Sequence, residues 1–301
     1  LESNYQGVVV LNYQVIDGQG GILQVPQSFN VVGGNNTTGT TGADILKGGQ
    51  TDDTYIVNHV RDVVIEADAN GGIDTVQSSL SHNLGTNLEN LVLVGSGNLS
   101  GTGNNLDNTL TGNDGNNRLL AGLGNDTLYG GAGGDTLNGG QGADQMFGGA
   151  GNDSLNGGVG NDTLEGGLGF DTLVGGTGND TYLLNLNSGR DLINNTDTSN
   201  GNDKLLISAG INADQVWLRK LGNDLEVSII GTNNSAKIQN WYSDANKRLD
   251  SVQLADGKVL LEAEVQNLVD AMASFTMPAI GQTSLTTAQH NALDSVILTS
   301  W

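Results

Sequence analysis

Seven aspartates stand nine residues apart: Asp126, Asp135, Asp144, Asp153, Asp162, Asp171 and Asp180. Asn108 and Asn117 hold the same place at the head of the series. An ionised aspartate is short and only accepts hydrogen bonds. Acceptors at a fixed spacing, flanked by glycine, suit Ca²⁺, a hard cation that takes roughly six to eight oxygens from carboxylates and backbone carbonyls. Other chemistries find no residues. The chain has no cysteine, hence no disulfide and no thiolate metal site. His59, His82 and His290 are scattered and read as surface residues, and no Ser-His-Asp arrangement stands out, so the chain reads as a non-enzyme.

The elements that position these carboxylates are repeats. Residues 103–183 divide without a gap into nine nonapeptides of pattern G-G-x-G-x-D-x-U-x, where U is a large apolar residue. Two more, at 39–47 and 48–56, place Asp44 and Asp53 at the sixth position. In each unit six turn-forming residues precede three that extend, as in Thr127, Leu128 and Tyr129. Strand alternation turns the middle residue inward. That column reads Leu110, Leu119, Leu128, Leu137, Met146, Leu155, Leu164, Leu173 and Tyr182. One apolar residue in nine cannot build an ordinary globule. Stacked between two short-stranded parallel sheets, the same residues make a narrow continuous core. The expected fold is therefore all-β: a parallel β-roll, right-handed by the crossover rule, with two nonapeptides to a coil.

Stacking every second repeat pairs Asp126 with Asp144, Asp144 with Asp162, and Asp162 with Asp180. On the other edge Asp135 pairs with Asp153, and Asp153 with Asp171. Asn108 faces Asp126 and Asn117 faces Asp135, two sites with less ligand charge and weaker expected binding. The main roll is thus expected to hold about seven Ca²⁺ ions, from five Asp–Asp and two Asn–Asp pairs. Glycines at positions 1, 2 and 4 permit the positive φ angles that turn carbonyls inward. Asp107 and Asp114 fall off the sixth position and read as turn residues.

Composition makes the ions necessary. The 301 residues carry 33 acidic against 11 basic side chains, a formal charge of −22, with 47 glycines and 4% aromatics. Glycine loses the most backbone freedom on ordering. At millimolar Ca²⁺ a site with a Kd of about 10⁻⁴ M contributes roughly 1.4 kcal/mol, and seven give about 10 kcal/mol, comparable with a domain's whole stability. At sub-micromolar Ca²⁺ they contribute almost nothing. The same charge excludes nucleic acid as a partner, since phosphate binding needs clustered Lys and Arg. No apolar run is long enough to span a membrane.

Flanking segments carry a second similarity. Arg61-Asp62-Val63 followed by Asp74-Thr75-Val76 parallels Arg190-Asp191-Leu192 followed by Asp203-Lys204-Leu205, with the two aspartates twelve residues apart in both. These read as transition modules that continue the coil with longer strands. The expected division is a β module ending over 1–32, a short repeat pair with transition coils over 39–102, and the main roll over 103–203. A β-rich cap over 204–260 follows, alternating like antiparallel strands, then a helix within 261–275 and a Ser/Thr-rich tail to 301. Trp217 and Trp241 read as cap core. The chain start has no initiator Met and no signal peptide, and reads as the interior of a longer polypeptide.

The repeats resemble those of RTX proteins, calcium-dependent exoproteins of Gram-negative bacteria. The run from Gly222-Asn223-Asp224 through Asn240-Trp241 to Asp256-Gly257 resembles the β-rich domain that often follows such repeats. Leu11-Asn12-Tyr13-Gln14 through Asp17-Gly18-Gln19-Gly20-Gly21 resembles the closing strands of cadherin-like modules in giant bacterial adhesins. The resemblance implies that carbonyls complete each site, from positions 2 and 4 of one repeat and 1 and 3 of its stacked partner. For the ion between Asp126 and Asp144 these are Gly122, Gly124, Gly139 and Gln141. For Asp135 and Asp153 they are Gly131, Gly133, Gly148 and Ala150. The partner contributions of the following pairs are Gly157 with Val159, and Gly166 with Leu168. The resemblance further implies export by type I secretion machinery, reading a C-terminal signal, to the cell exterior or surface. The leading expectation is the calcium-folded, secreted end of a large adhesin. The alternatives are a self-associating surface-layer or filament subunit and the tail of a secreted hydrolase.

Overall fold

A computed structural model describes residues 7–16, 22–33, 36–69, 71–196 and 201–301. Residues 17–21, which complete the cadherin-like resemblance, lie outside the described residues. The repeats do wind into a parallel β-roll whose coils stack 18 residues apart, with Leu128 level with Met146 and Met146 with Leu164. Alternate repeats fall into two sheets, of twelve and ten strands. The strands are longer than the sequence reading allows. Thr127–Ala132 and Thr136–Gln141 run through position 3 of the next repeat, because Gly131 and Ala132 pair with Gly149 and Ala150 of the coil above. Within the strands position 8 faces inward, and the whole column from Leu110 to Tyr182 is at most 1% exposed. Burying a leucine side chain contributes about 2 kcal/mol.

The two ends are built differently. At the first, the antiparallel strands Gly7–Ile16 and Ile22–Gly33 lead into a four-stranded sheet, where Ile22–Gly33 pairs in parallel with Asp44–Lys47 and that strand with Val63–Ile65. At the other, the cap extends both sheets of the roll. Ser235–Ile238 adds in parallel to Arg190–Ile193, and Ser251–Leu254 to Lys204–Ile207. Antiparallel strands follow outward on each: Asp224–Ile229 and Val216–Leu221 on one, Val259–Leu261 on the other. The cap is therefore a mixed extension of the roll. Trp217 and Trp241 fill its core, as expected.

The helix Glu262–Met272 buries Val265, Leu268, Val269 and Met272 against the cap. The tail beyond it holds a second helix, Thr287–Ser300, where the sequence reading has only a polar tail. Thr286 caps it, accepting from the Gln289 N–H, while Gln289 Oε1 accepts from the Thr286 N–H. Leu293 and Ile297 are its buried apolar face. No described helix is long and apolar enough to cross a membrane.

Candidate metal centres

Glycine shapes each turn in two ways. Positions 2 and 4 adopt positive φ, +120° at Gly122 and +116° at Gly124, and the pattern recurs at Gly131, Gly133, Gly140 and Gly142. Position 1 departs from the expectation, since its glycines are not among the positive-φ residues. It is glycine for space: a methyl on Gly139 would overlap Asp144 Oδ2, and one on Gly157 would overlap Asp162 Oδ2. The Gly157 carbonyl oxygen lies 2.8 Å from the same point on Gly139. A carboxylate oxygen and the position 1 carbonyl of the stacked repeat thus share one glycine-lined cradle.

The position 6 carboxylates form a ladder. Asp144 Oδ1 accepts the Asp126 N–H at 2.8 Å, Asp162 Oδ1 that of Asp144 at 2.8 Å, and Asp180 Oδ1 that of Asp162 at 2.9 Å. On the other edge Asp153 Oδ1 accepts from Asp135 at 2.7 Å and Asp171 Oδ1 from Asp153 at 2.8 Å. Oδ1 is thereby satisfied. Oδ2 of Asp126, Asp135, Asp144, Asp153 and Asp162 is buried with no hydrogen-bond partner. Burial, reinforced by the neighbouring aspartates, pushes the carboxyls of Asp126, Asp153 and Asp162 up to about 7. Burial raises Asp135 and Asp144 as well. A row of buried oxygens that no donor reaches is the arrangement a hard cation satisfies. The donor set is all oxygen, so the residues present fit Ca²⁺.

The RTX calcium-binding nonapeptide repeat family matches residues 32–57, 102–137, 129–164, 138–173 and 156–193. The haemolysin-type calcium binding protein related domain matches residues 224–264. This chain belongs to the RTX family. Its roll is the calcium-binding repeat of that family, and the second match spans the strands from Asp224–Ile229 to Val259–Leu261 and the start of the helix Glu262–Met272.

Within the RTX ladder the other sequence-chosen residues separate by how their side chains are satisfied. Asn108 and Asn117 do face Asp126 and Asp135, each donating its backbone N–H to the aspartate at 2.6 Å. Their amides are already engaged: Asn108 Nδ2 donates to the carbonyls of Leu88 and Glu89, and Asn117 Nδ2 to Asn113 Oδ1. Asp44 sits in register with Asp62, but Thr40 donates its N–H and hydroxyl to the Asp44 carboxylate. Asp53 differs, for its Oδ1 is buried without a partner. Among the carbonyls, those of Gln141, Ala150, Val159 and Leu168 each accept the position 4 N–H of the preceding coil, from Gly124, Gly133, Gly142 and Gly151. One lone pair remains on each.

Sequence reasoning missed several members of the stack. Asp74 Oδ1 accepts the Asp53 N–H at 2.8 Å, and Glu89 Oε2 accepts that of Asp74 at 2.8 Å. Asp203 Oδ1 accepts from Asp180 at 2.8 Å, and Asp250 Oδ2 from Asp203 at 2.8 Å. Asp191 is 3% exposed and stands one coil beyond Asp171; burial, then the Asp171 charge, pushes its carboxyl well above the usual range. The missed signal is local: each acidic residue lies two before an inward apolar one, as in Asp74-Thr75-Val76 and Asp203-Lys204-Leu205. A second ladder runs along position 5, where Asp107 Oδ1 accepts the Asn125 N–H, Asn125 Oδ1 that of Ala143, and Asn152 Oδ1 that of Phe170. Asp107 is thus a turn residue, as expected, with a defined partner.

Proposed function

We propose that this RTX roll is the calcium-dependent folding and export segment of a larger extracellular or cell-surface protein, foremost an adhesin. The observation that carries it is the row of buried Oδ2 atoms without donors from Asp126 to Asp162. Asp126, Asp135, Asp144, Asp153, Asp162, Asp171 and Asp180 would hold the ions, with Gly157 and its position 1 equivalents offering carbonyls. Bound Ca²⁺ supplies the positive charge that keeps these carboxylates ionised away from water. The protein's own part is to shape the cradle: positive φ at positions 2 and 4, glycine at position 1 of every main-roll repeat except at Ala121, and a backbone N–H fixing Oδ1. Where Ca²⁺ is scarce the carboxylates repel one another and the chain stays open, the form in which it would thread an export channel. Circular dichroism with Ca²⁺ and after EDTA tests this reading: β-structure is expected to be lost on chelation, and an unchanged spectrum sinks it.

Self-assembly is a second reading, favoured by Val159, Leu168 and Phe170, which stand 56, 55 and 63% exposed on the roll. Size-exclusion chromatography in Ca²⁺ decides it, since a monomer at high concentration removes it.

A further inference from the structure

Between Asp53 and Asp74 the stacking interval is 21 residues, three more than a coil of the main roll. The longer excursion, over 58–74, carries the strand Val63–Ile65 and after it Glu66, a residue the nonapeptide pattern does not call for. Glu66 is 6% exposed, Asp53 2% and Asp74 1%. One carboxylate oxygen from each of the three lies within 4.8 Å of the other two. No described Lys, Arg or His forms an ion pair with any of them.

Most of the surrounding hydrogen bonds are already fixed. Tyr55 Oη donates to Glu66 Oε2 at 2.6 Å, the Asp68 N–H donates to Glu66 Oε1 at 3.0 Å, and the Gly49 N–H donates to Asp53 Oδ2 at 2.6 Å. Asp53 Oδ1 alone is left buried and without a partner. Two glycines keep the space around Glu66 open. A methyl on Gly48 would overlap Tyr55 Oη and Asp53 Oδ2, and one on Gly71 would sit 3.2 Å from both Glu66 Oε1 and the Gly49 carbonyl oxygen. Carboxylate, phenol and carbonyl oxygens therefore converge from two sides, and every donor atom is hard.

We propose that Asp53, Glu66 and Asp74 form a calcium site of a second kind, built from three side-chain carboxylates, which fastens the excursion over 58–74 to the first coil. A repeat site offers two carboxylates and draws the rest of its ligands from carbonyls. This site offers three, and affinity for Ca²⁺ rises with ligand charge. It therefore fills first in a titration.

The experiment counts ions. The full chain is titrated with Ca²⁺ alone and followed by native mass spectrometry, with Glu66→Gln beside it. Gln keeps the shape of Glu and an oxygen for Tyr55. The variant is expected to take up its first ion about tenfold more weakly, and so to hold one ion fewer at the Ca²⁺ level where only that first site is filled in the parent chain, with the roll ions unchanged. An equal count and an equal first affinity overturn the site while leaving the roll reading intact; no uptake by either protein overturns both. Should the variant fail to fold, Tb³⁺ replaces Ca²⁺ in chains altered only at tyrosine. The first equivalent is expected to give tyrosine-sensitised emission that Tyr55→Phe abolishes and Tyr182→Phe, which lies beside the roll sites through its bond from the Gly175 N–H, preserves. Emission persisting in Tyr55→Phe overturns the proposal.

Discussion

Asp144 divides its carboxylate between two tasks: Oδ1 accepts the Asp126 backbone N–H at 2.8 Å, while Oδ2 is buried beside Gly139 with no donor. The first oxygen belongs to the fold, and the second makes the fold conditional on a cation.

Substitution at this residue should change sign with calcium. Asp144→Asn keeps an acceptor for Asp126 and removes a buried charge. In EDTA it is expected to stabilise whatever structure remains. In millimolar Ca²⁺ it weakens the two sites that share Asp144 and should cost about 2–3 kcal/mol. Thermal melts of the variant in both buffers check this, and destabilisation of equal size in both contradicts it.

Acidity should partly replace calcium. The folded carboxyls of Asp126, Asp153 and Asp162 stand near 7, raised by burial, against about 3.9 in an open chain. The folded state thus binds protons more tightly, and its metal-free stability is greatest below pH about 4 and declines as pH rises toward 7. EDTA-treated protein is expected to regain β-structure on acidification to pH 4–5. In Ca²⁺ the sign reverses: protons compete with the ion, so the calcium midpoint rises as pH falls below 7. Circular dichroism across pH in the two buffers reads both trends.

Two glycines of one repeat should fail differently. Gly142 has φ +129° and a methyl there would also overlap the Gly124 carbonyl oxygen, so Gly142→Ala strains the backbone by at least roughly 1–2 kcal/mol and destabilises the roll at every calcium concentration. Gly139 is not among the positive-φ glycines, and its methyl would instead press on Asp144 Oδ2. Gly139→Ala is expected to raise the calcium midpoint with the smaller effect in EDTA. Calcium titrations of the pair separate strain from a blocked cradle.

The position 5 ladder supplies a control. Asn152 Oδ1 accepts the Phe170 N–H at 3.0 Å at an exposed turn. Asn152→Ala should cost about 0.5–1.5 kcal/mol and leave the number of bound ions unchanged, as native mass spectrometry would show.

The roll could be read from sequence because its period is strict. A nine-residue unit with a single apolar position has few ways to bury Leu128, and pairing Leu128 with Met146 fixes Asp126 beside Asp144 at the same stroke. The carbonyl sets came from the resemblance rather than from spacing. What was not legible lies where the period breaks. Asp74 follows Asp53 by 21 residues, and Asp203 follows Asp180 by 23. Counting by eighteen therefore passes over both, although each retains the local pattern of an acid two residues before an inward apolar one. Glu66 carries no periodic signal at all, since only the folded excursion brings it to Asp53. The second helix was hidden by a Ser/Thr-rich composition, yet Thr286 and Gln289 are spaced as a capping box.

Amide hydrogen exchange over residues 103–183, in millimolar Ca²⁺ and again after chelation, tests the central claim most directly. Slow exchange at the backbone N–H groups of Asp126, Asp144 and Asp162 is expected with calcium and fast exchange without it, while the tryptophan-filled cap keeps more of its protection. Equal protection of these amides in both conditions would contradict the account.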